Sequence, residues 1–200
     1  MAFQNATSVP QNKLKILNKM TKKLFFIALL FVILSCKKQE VTTAASKNTP
    51  FTFKSTAFTN NGIFPKEYTC DGASTSPPVS WEDLPVGTKS VAISMHHVPP
   101  EGGKHVYLVL YNIPLATTSI PANFSGIGKL GINTVNGKNA YTPPCSQGPG
   151  AKIYVLTAYA LSAEPVITTA ASATTMDVLL NAIKSTTLGT STLTVSYTRP

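Results

Sequence analysis

The residue types best suited to chemistry are gathered in one stretch. All three histidines of the chain, His96, His97 and His105, fall within "SMHHVPPEGGKHVY", residues 94–107. Imidazole ligates zinc or copper and moves protons near neutral pH. As metal ligands, His97 and His105 are the weak candidates. Adjacent His96 and His97 diverge on an extended backbone and so do not meet one ion, and Glu101 is the nearby carboxylate. No HExxH spacing is present. Nucleophilic catalysis needs Ser or Cys beside His with an orienting acid. The chain has many serines but no G-x-S-x-G elbow. Asp71, in "TCDG", can orient a histidine, although an Asp before Gly more simply caps a turn. A metal- or Ser-dependent hydrolase therefore stands as one alternative, and neither a catalytic residue nor a cofactor is assigned.

Those residues need a scaffold, and the pattern around them is mostly β. The segment "FTFKSTAF" alternates apolar and polar residues from Phe51, as a half-buried strand does. Runs rich in Val, Ile, Tyr and Thr predict strands over 89–95, 105–113, 152–161 and 191–199. Pro- and Gly-rich stretches such as "TSPPVSW", "VPPEGG" and "YTPPCSQGPG" punctuate them. One helix is expected in "TTMDVLLNAIKSTTLG", with Thr174 or Thr175 as its cap, Asp177 in its first turn and Gly189 ending it. It is expected to pack on a sheet edge or end.

The N-terminal part has a different character. Five lysines precede the apolar run "LFFIALLFVIL", residues 24–34. Eleven residues span about 16 Å as a helix, roughly half of a bilayer core, so the run is a signal segment and does not cross the membrane. It ends in Ile33-Leu34-Ser35-Cys36, which resembles a bacterial lipobox with Cys36 as the lipidated residue. Residues 1–35 are thus expected to be a lipoprotein signal, with Met20 an alternative start. Residues 36–50 would form a flexible tether, and residues 51–200 the folded domain. The formal charge of +9 tempts a nucleic-acid reading. Removing residues 1–35, however, leaves 12 basic against 8 acidic residues, or +4, and no nucleic-acid module appears. With Cys36 lipidated, Cys70 and Cys145 form an even pair in a compartment that permits a disulfide. Buried free thiols are the other possibility for them.

Taken together, "GIFPKEYTCDGASTSPPVSW", "VYLVLYNIP", "GINTVNG", "YTPPCSQGPG" and "YVLTAYAL" resemble the phosphatidylethanolamine-binding protein family, in its bacterial Raf-kinase-inhibitor-like branch. The resemblance runs from about residue 51 to 199. It implies an antiparallel β-sandwich with one or two short peripheral helices, one of them near the C-terminus, and a small pocket for phosphate or other anionic head groups. Carried over position by position, the family's Asp-Pro-Asp-Ala-Pro segment falls on Met95 to Pro99, placing Met95 and His97 where aspartates stand. The family's His-Trp pair falls on Tyr107-Leu108, and its His-Arg-Tyr on Lys152-Ile153-Tyr154. The frame is retained while the polar set is altered toward positive charge.

The resemblance thus implies a pocket lined by His97, Tyr107, Ser146 and Lys152, with Pro144 and Trp81 as walls. Lysine supplies charge, and the hydroxyls and imidazole supply hydrogen bonds. The expected function is an envelope lipoprotein that holds a small anionic ligand or lipid head group without transforming it. A protein-interaction or inhibitor module of the envelope, using the same loops, is the alternative.

Overall fold

The computed structural model describes residues 51–145, 147 and 149–200. The expected signal segment, the Met20 start, lipidated Cys36, the tether and Ser146 lie outside these residues. Two sheets and a short helix make up the described part. The smaller sheet joins β1 (Thr52–Lys54), β3 (Val79–Glu82) and β6 (Ser119–Ile120) in the order β1-β3-β6. The larger contains β2 (Gly62–Ile63), β4 (Ser90–His97), β5 (His105–Pro114), β7 (Lys129–Leu130), β8 (Lys152–Leu161) and β9 (Thr187–Tyr197). Its order is β2-β9-β8-β4-β5-β7. Pairing is antiparallel except between β2 and β9, which run parallel.

The burial of each strand follows from what covers it. From Lys152 to Ala160 β8 alternates, with Tyr154, Leu156, Ala158 and Ala160 buried and the residues between them partly open. That is the signature of a strand covered on one face. β4 is buried along almost its whole length, because both of its faces are covered. On one side Val91, Ile93 and Met95 join Phe53, Trp81 and Ile120 of the smaller sheet in the main core. On the other, Ala92 joins Val106, Val109 and Tyr111 under the helix α1 (Met176–Ile183).

The helix departs from expectation at its end and in its seat. Thr175 caps it, its side chain accepting from the Val178 amide. It stops at Ile183 instead of continuing to Gly189. The Thr186 amide turns back onto the Ile183 carbonyl, and the threonine hydroxyls of Thr186 and Thr187 donate to the same oxygen. Three donors on one carbonyl end the helix, and the β-branched run that follows enters β9, which takes in Gly189. Met176, Leu179 and Ile183 lie on the face of the large sheet, not on its edge. β9 accordingly begins four residues earlier than the predicted strand. β1 is only three residues long because the chain leaves the sheet at Ser55, whose hydroxyl donates to the Pro78 carbonyl and accepts from the Ala57 amide.

Candidate ligand-binding site

β4, β5 and β8 converge on one end of the large sheet, and the residues there arise from a defect in its ladder. Met95 faces Leu108 and His96 faces Val106, so Tyr107 is an extra residue without a partner on β4. Such a bulge re-aims a side chain. Tyr107 and Leu108 consequently both join the inner core, while Val106 and Val109 join the helix side. Without the bulge, strict alternation would turn one of the two toward the helix.

His97, at the end of β4, faces His105 across the ladder, with ring centroids 6.2 Å apart. The His97 Nδ1 lies 2.8 Å from the Ile153 carbonyl of β8. A carbonyl only accepts, so Nδ1 carries the proton and Nε2 is uncommitted to that bond. Tyr154, fully buried, packs its ring against both His97 and Tyr107 at 5.5 Å. Burial raises the Tyr107 hydroxyl above its ordinary value, and a hydrogen bond with Tyr154 only partly offsets this. Tyr107 is therefore a neutral hydroxyl throughout the physiological range. Tyr141 is pushed up further, by burial and by the neighbouring Tyr107 and Tyr154 hydroxyls.

The loop after Ala140 closes the site, and several bonds fix it. The Tyr141 hydroxyl donates to the Tyr68 carbonyl, the Thr142 amide to the Tyr107 carbonyl, and the Cys70 amide to the Pro144 carbonyl. A Cys70–Cys145 disulfide adds a covalent tie. On the opposite rim, Asn133 is almost fully buried. Its Oδ1 accepts from the Val135 and Asn136 amides, and its Nδ2 donates to the Lys138 carbonyl. Val135 is thereby held at the edge.

These elements enclose a cavity of about 290 Å³ lined by His97, His105, Tyr107, Lys152, Glu101 and Gln147, with Cys145 and Val135 beside them. The size is at the low end for small-molecule sites. His97, Tyr107 and Lys152 of the sequence-derived set come together here. Pro144 is buried next to Cys145 and outside the lining. Trp81 is elsewhere: it is a core residue of the smaller sheet opposite Phe53, because it shares with Val79 the face of β3 that packs inward, while Ser80 and Glu82 face outward. Asp71 orients no histidine. Its carboxylate accepts from the Tyr197 hydroxyl at 3.0 Å and from Arg199 Nε at 2.9 Å, holding the end of β9. His105 and His97 adjoin Glu101, but among the described residues no three His, Cys, Asp or Glu side chains form a metal-holding group.

Sequence reasoning did not include Glu101, Val135 and Gln147 in the ligand set. Gln147 and Val135 lie within "YTPPCSQGPG" and "GINTVNG", so the loops were marked even though these side chains were not.

The phosphatidylethanolamine-binding protein family model matches residues 54–198. The chain is 39% identical over 117 residues to a UPF0098 protein of Aquifex aeolicus, covering 55% of this chain and 67% of that one. It is 27% identical over 123 residues to LppC of Mycobacterium tuberculosis, a predicted lipoprotein, covering 61% of this chain and 61% of that one. Among solved structures it is similar to CT736 of Chlamydia trachomatis, a predicted phosphatidylethanolamine-binding protein homologue. That match has a TM-score of 0.69 at 28% identity, over 76% of this chain and 99% of the other. With the family model spanning nearly all of the described residues and the two-sheet fold shared, the chain belongs to the phosphatidylethanolamine-binding protein family, in the bacterial branch that contains the UPF0098 proteins.

Proposed function

We propose that the protein is an envelope lipoprotein that binds a small anionic group, phosphate or a phosphorylated head group, and releases it unchanged. The observation carrying this reading is the convergence of Lys152, His97 and the Tyr107 hydroxyl on one small cavity. A lysine gives a point charge, and imidazole and phenol give directional hydrogen bonds to anionic oxygens. The family membership supports binding of a small ligand. Export is supported by the similarity to a predicted lipoprotein and by the disulfide, which persists in oxidising compartments.

Calorimetric titration of the full chain with inorganic phosphate, phosphoethanolamine and acetate tests the proposal. Saturable phosphate binding that is lost in Lys152→Ala is expected; no binding of any of the three anions refutes it. A second reading, docking of an envelope protein over the same loops, draws on the exposed apolar side chains Val98 and Val135 at this end of the sheet. A pull-down that recovers one envelope protein with wild type and loses it with Val98→Asp/Val135→Asp would favour that reading.

A further inference from the structure

The face of the large sheet opposite the anion site carries a second, larger cavity of about 460 Å³. Its floor is apolar, made by Val106 of β5 and Met176 at the start of α1, and its walls hold Lys104, Asp177, Thr134 and Thr175. None of the residues of the anion site lines it. The Lys104 ammonium and the Asp177 carboxylate stand 3.6 Å apart and are substantially exposed, at 45% and 77%. That spacing is longer than a charge-assisted hydrogen bond of about 2.7–2.9 Å. Solvent screens such a pair, and little is lost when each partner takes another counter-charge.

The fixed charge of this cavity is balanced. His96 lies on the same face as Val106, its partner in the ladder. Its Nδ1 is buried without a hydrogen-bond partner, so the cationic ring, protonated on both nitrogens, would hold a buried donor with nothing to bond. Burial, helped by Lys104 and His97, lowers its pKa. The imidazole is therefore neutral at neutral pH, and Lys104 and Asp177 are the charges that a ligand meets. One of each sign, close together above an apolar floor, is complementary to a zwitterion with an apolar side chain.

Spacing narrows the class. The ammonium nitrogen and carboxyl carbon of an α-amino acid are about 2.5 Å apart, from standard bond lengths and angle. In a dipeptide the termini separate by a further Cα–Cα step of about 3.8 Å. Adjacent protein charges 3.6 Å apart match the compact head of the free amino acid and not separated termini. We propose that this cavity binds a free apolar α-amino acid, its carboxylate on Lys104, its ammonium on Asp177 and its side chain on Val106 and Met176. Thr134 is already committed, its hydroxyl accepting from the Val106 amide, and Thr175 caps α1; both hydroxyls act as fixed walls.

The test is calorimetric titration of the full chain with L-leucine, L-methionine and L-phenylalanine, alongside leucinamide and 4-methylpentanoate, which lack the carboxylate and the ammonium respectively. Saturable binding of at least one amino acid is expected, with both truncated leucine analogues at least tenfold weaker than leucine when leucine is the ligand bound. Lys104→Gln and Asp177→Asn should each weaken the bound amino acid at least tenfold, and Lys89→Gln, at an exposed lysine outside the cavity, should leave it unchanged. Both charged residues are on the surface, and thermal melts of the variants check that they fold. Binding of none of the three amino acids overturns the proposal, as does binding that is unaltered in both Lys104→Gln and Asp177→Asn.

Discussion

At the scale of single residues, the proposed anion site combines one lysine with three hydrogen-bonding rings, His97, His105 and Tyr107, and a carboxylate. Tyr107 is protonated and buried, so its hydroxyl is a donor whose loss leaves an anion oxygen less satisfied. Removing one such bond to a charged acceptor costs about 1.5–3 kcal/mol, and Tyr107→Phe should weaken phosphate binding roughly 10- to 150-fold by the same scale, as read by titration calorimetry. Glu101, also in the lining, opposes a bare anion and favours a ligand carrying an ammonium beside its phosphate. Phosphoethanolamine should therefore bind more tightly than phosphate, and Glu101→Gln should remove the preference; an unchanged ratio would mean Glu101 does not meet the ligand. Asp71 is a case of structure, not binding. Partial burial opposes its ionisation, but hydrogen bonds from Tyr197 and Arg199 and the charges of Arg199 and Lys66 outweigh that, so its pKa lies below the ordinary carboxylate range. With the folded value depressed, its stabilisation is present above the unfolded pKa of about 3.9 and is lost as pH falls through the folded one. In urea melts, Asp71→Asn should be less stable than wild type at pH 6, and the two curves should converge below about pH 4. A gap that persists into acid would show that the carboxylate charge is not what holds β9.

At the scale of elements, the helix gives the cleanest expectation. Leu179 is completely buried against the sheet, and deleting its branched side chain leaves a cavity, so Leu179→Ala should cost about 2–5 kcal/mol in denaturant unfolding. Phosphate affinity should be intact, because α1 and the anion site are on opposite faces. The long strands were legible for the same reason that this helix was: β4, β5, β8 and β9 are long enough to display composition and period. β2, β6 and β7 have two residues each, too few for any period to register. They exist because loops pass alongside strands already formed. The site was partly legible. Tyr107 and Lys152 were located from the family frame, but the bulge that turns Tyr107 inward depends on the register of β4 against β5, which a single strand's sequence does not encode. Trp81 was misplaced because an aromatic beside a Pro-rich turn has the same local signature whether it faces a pocket or a core. Only the pairing of β3 with β1 decides between them.

For the whole molecule, the decisive connection is the disulfide, which joins the turn after the short 3-10 segment Lys66–Tyr68 to the loop that closes the proposed anion cavity. Cys70 and Cys145 are 75 residues apart, and closing a loop of that size in the unfolded chain is worth about 4 kcal/mol in the chain-entropy model. The Cys70→Ser/Cys145→Ser variant should be destabilised by that order and should melt roughly 8–16 °C lower, at 2–4 °C per kcal/mol for a domain of this size. A purely global effect would resemble Leu179→Ala, with stability reduced and phosphate affinity kept. The position of Cys145 in the cavity lining argues for more than that. Gln147 follows it by two residues and Lys152 lies at the end of the same loop, so freeing Cys145 widens the positions both can occupy, and binding must then order them again. Phosphate affinity measured at 15 °C, with the folding of both variants checked by circular dichroism, should fall in the cysteine variant and not in Leu179→Ala. Equal affinity in the two would mean that the Tyr141, Thr142 and Pro144 hydrogen bonds suffice to place the loop, leaving the disulfide a role in stability alone.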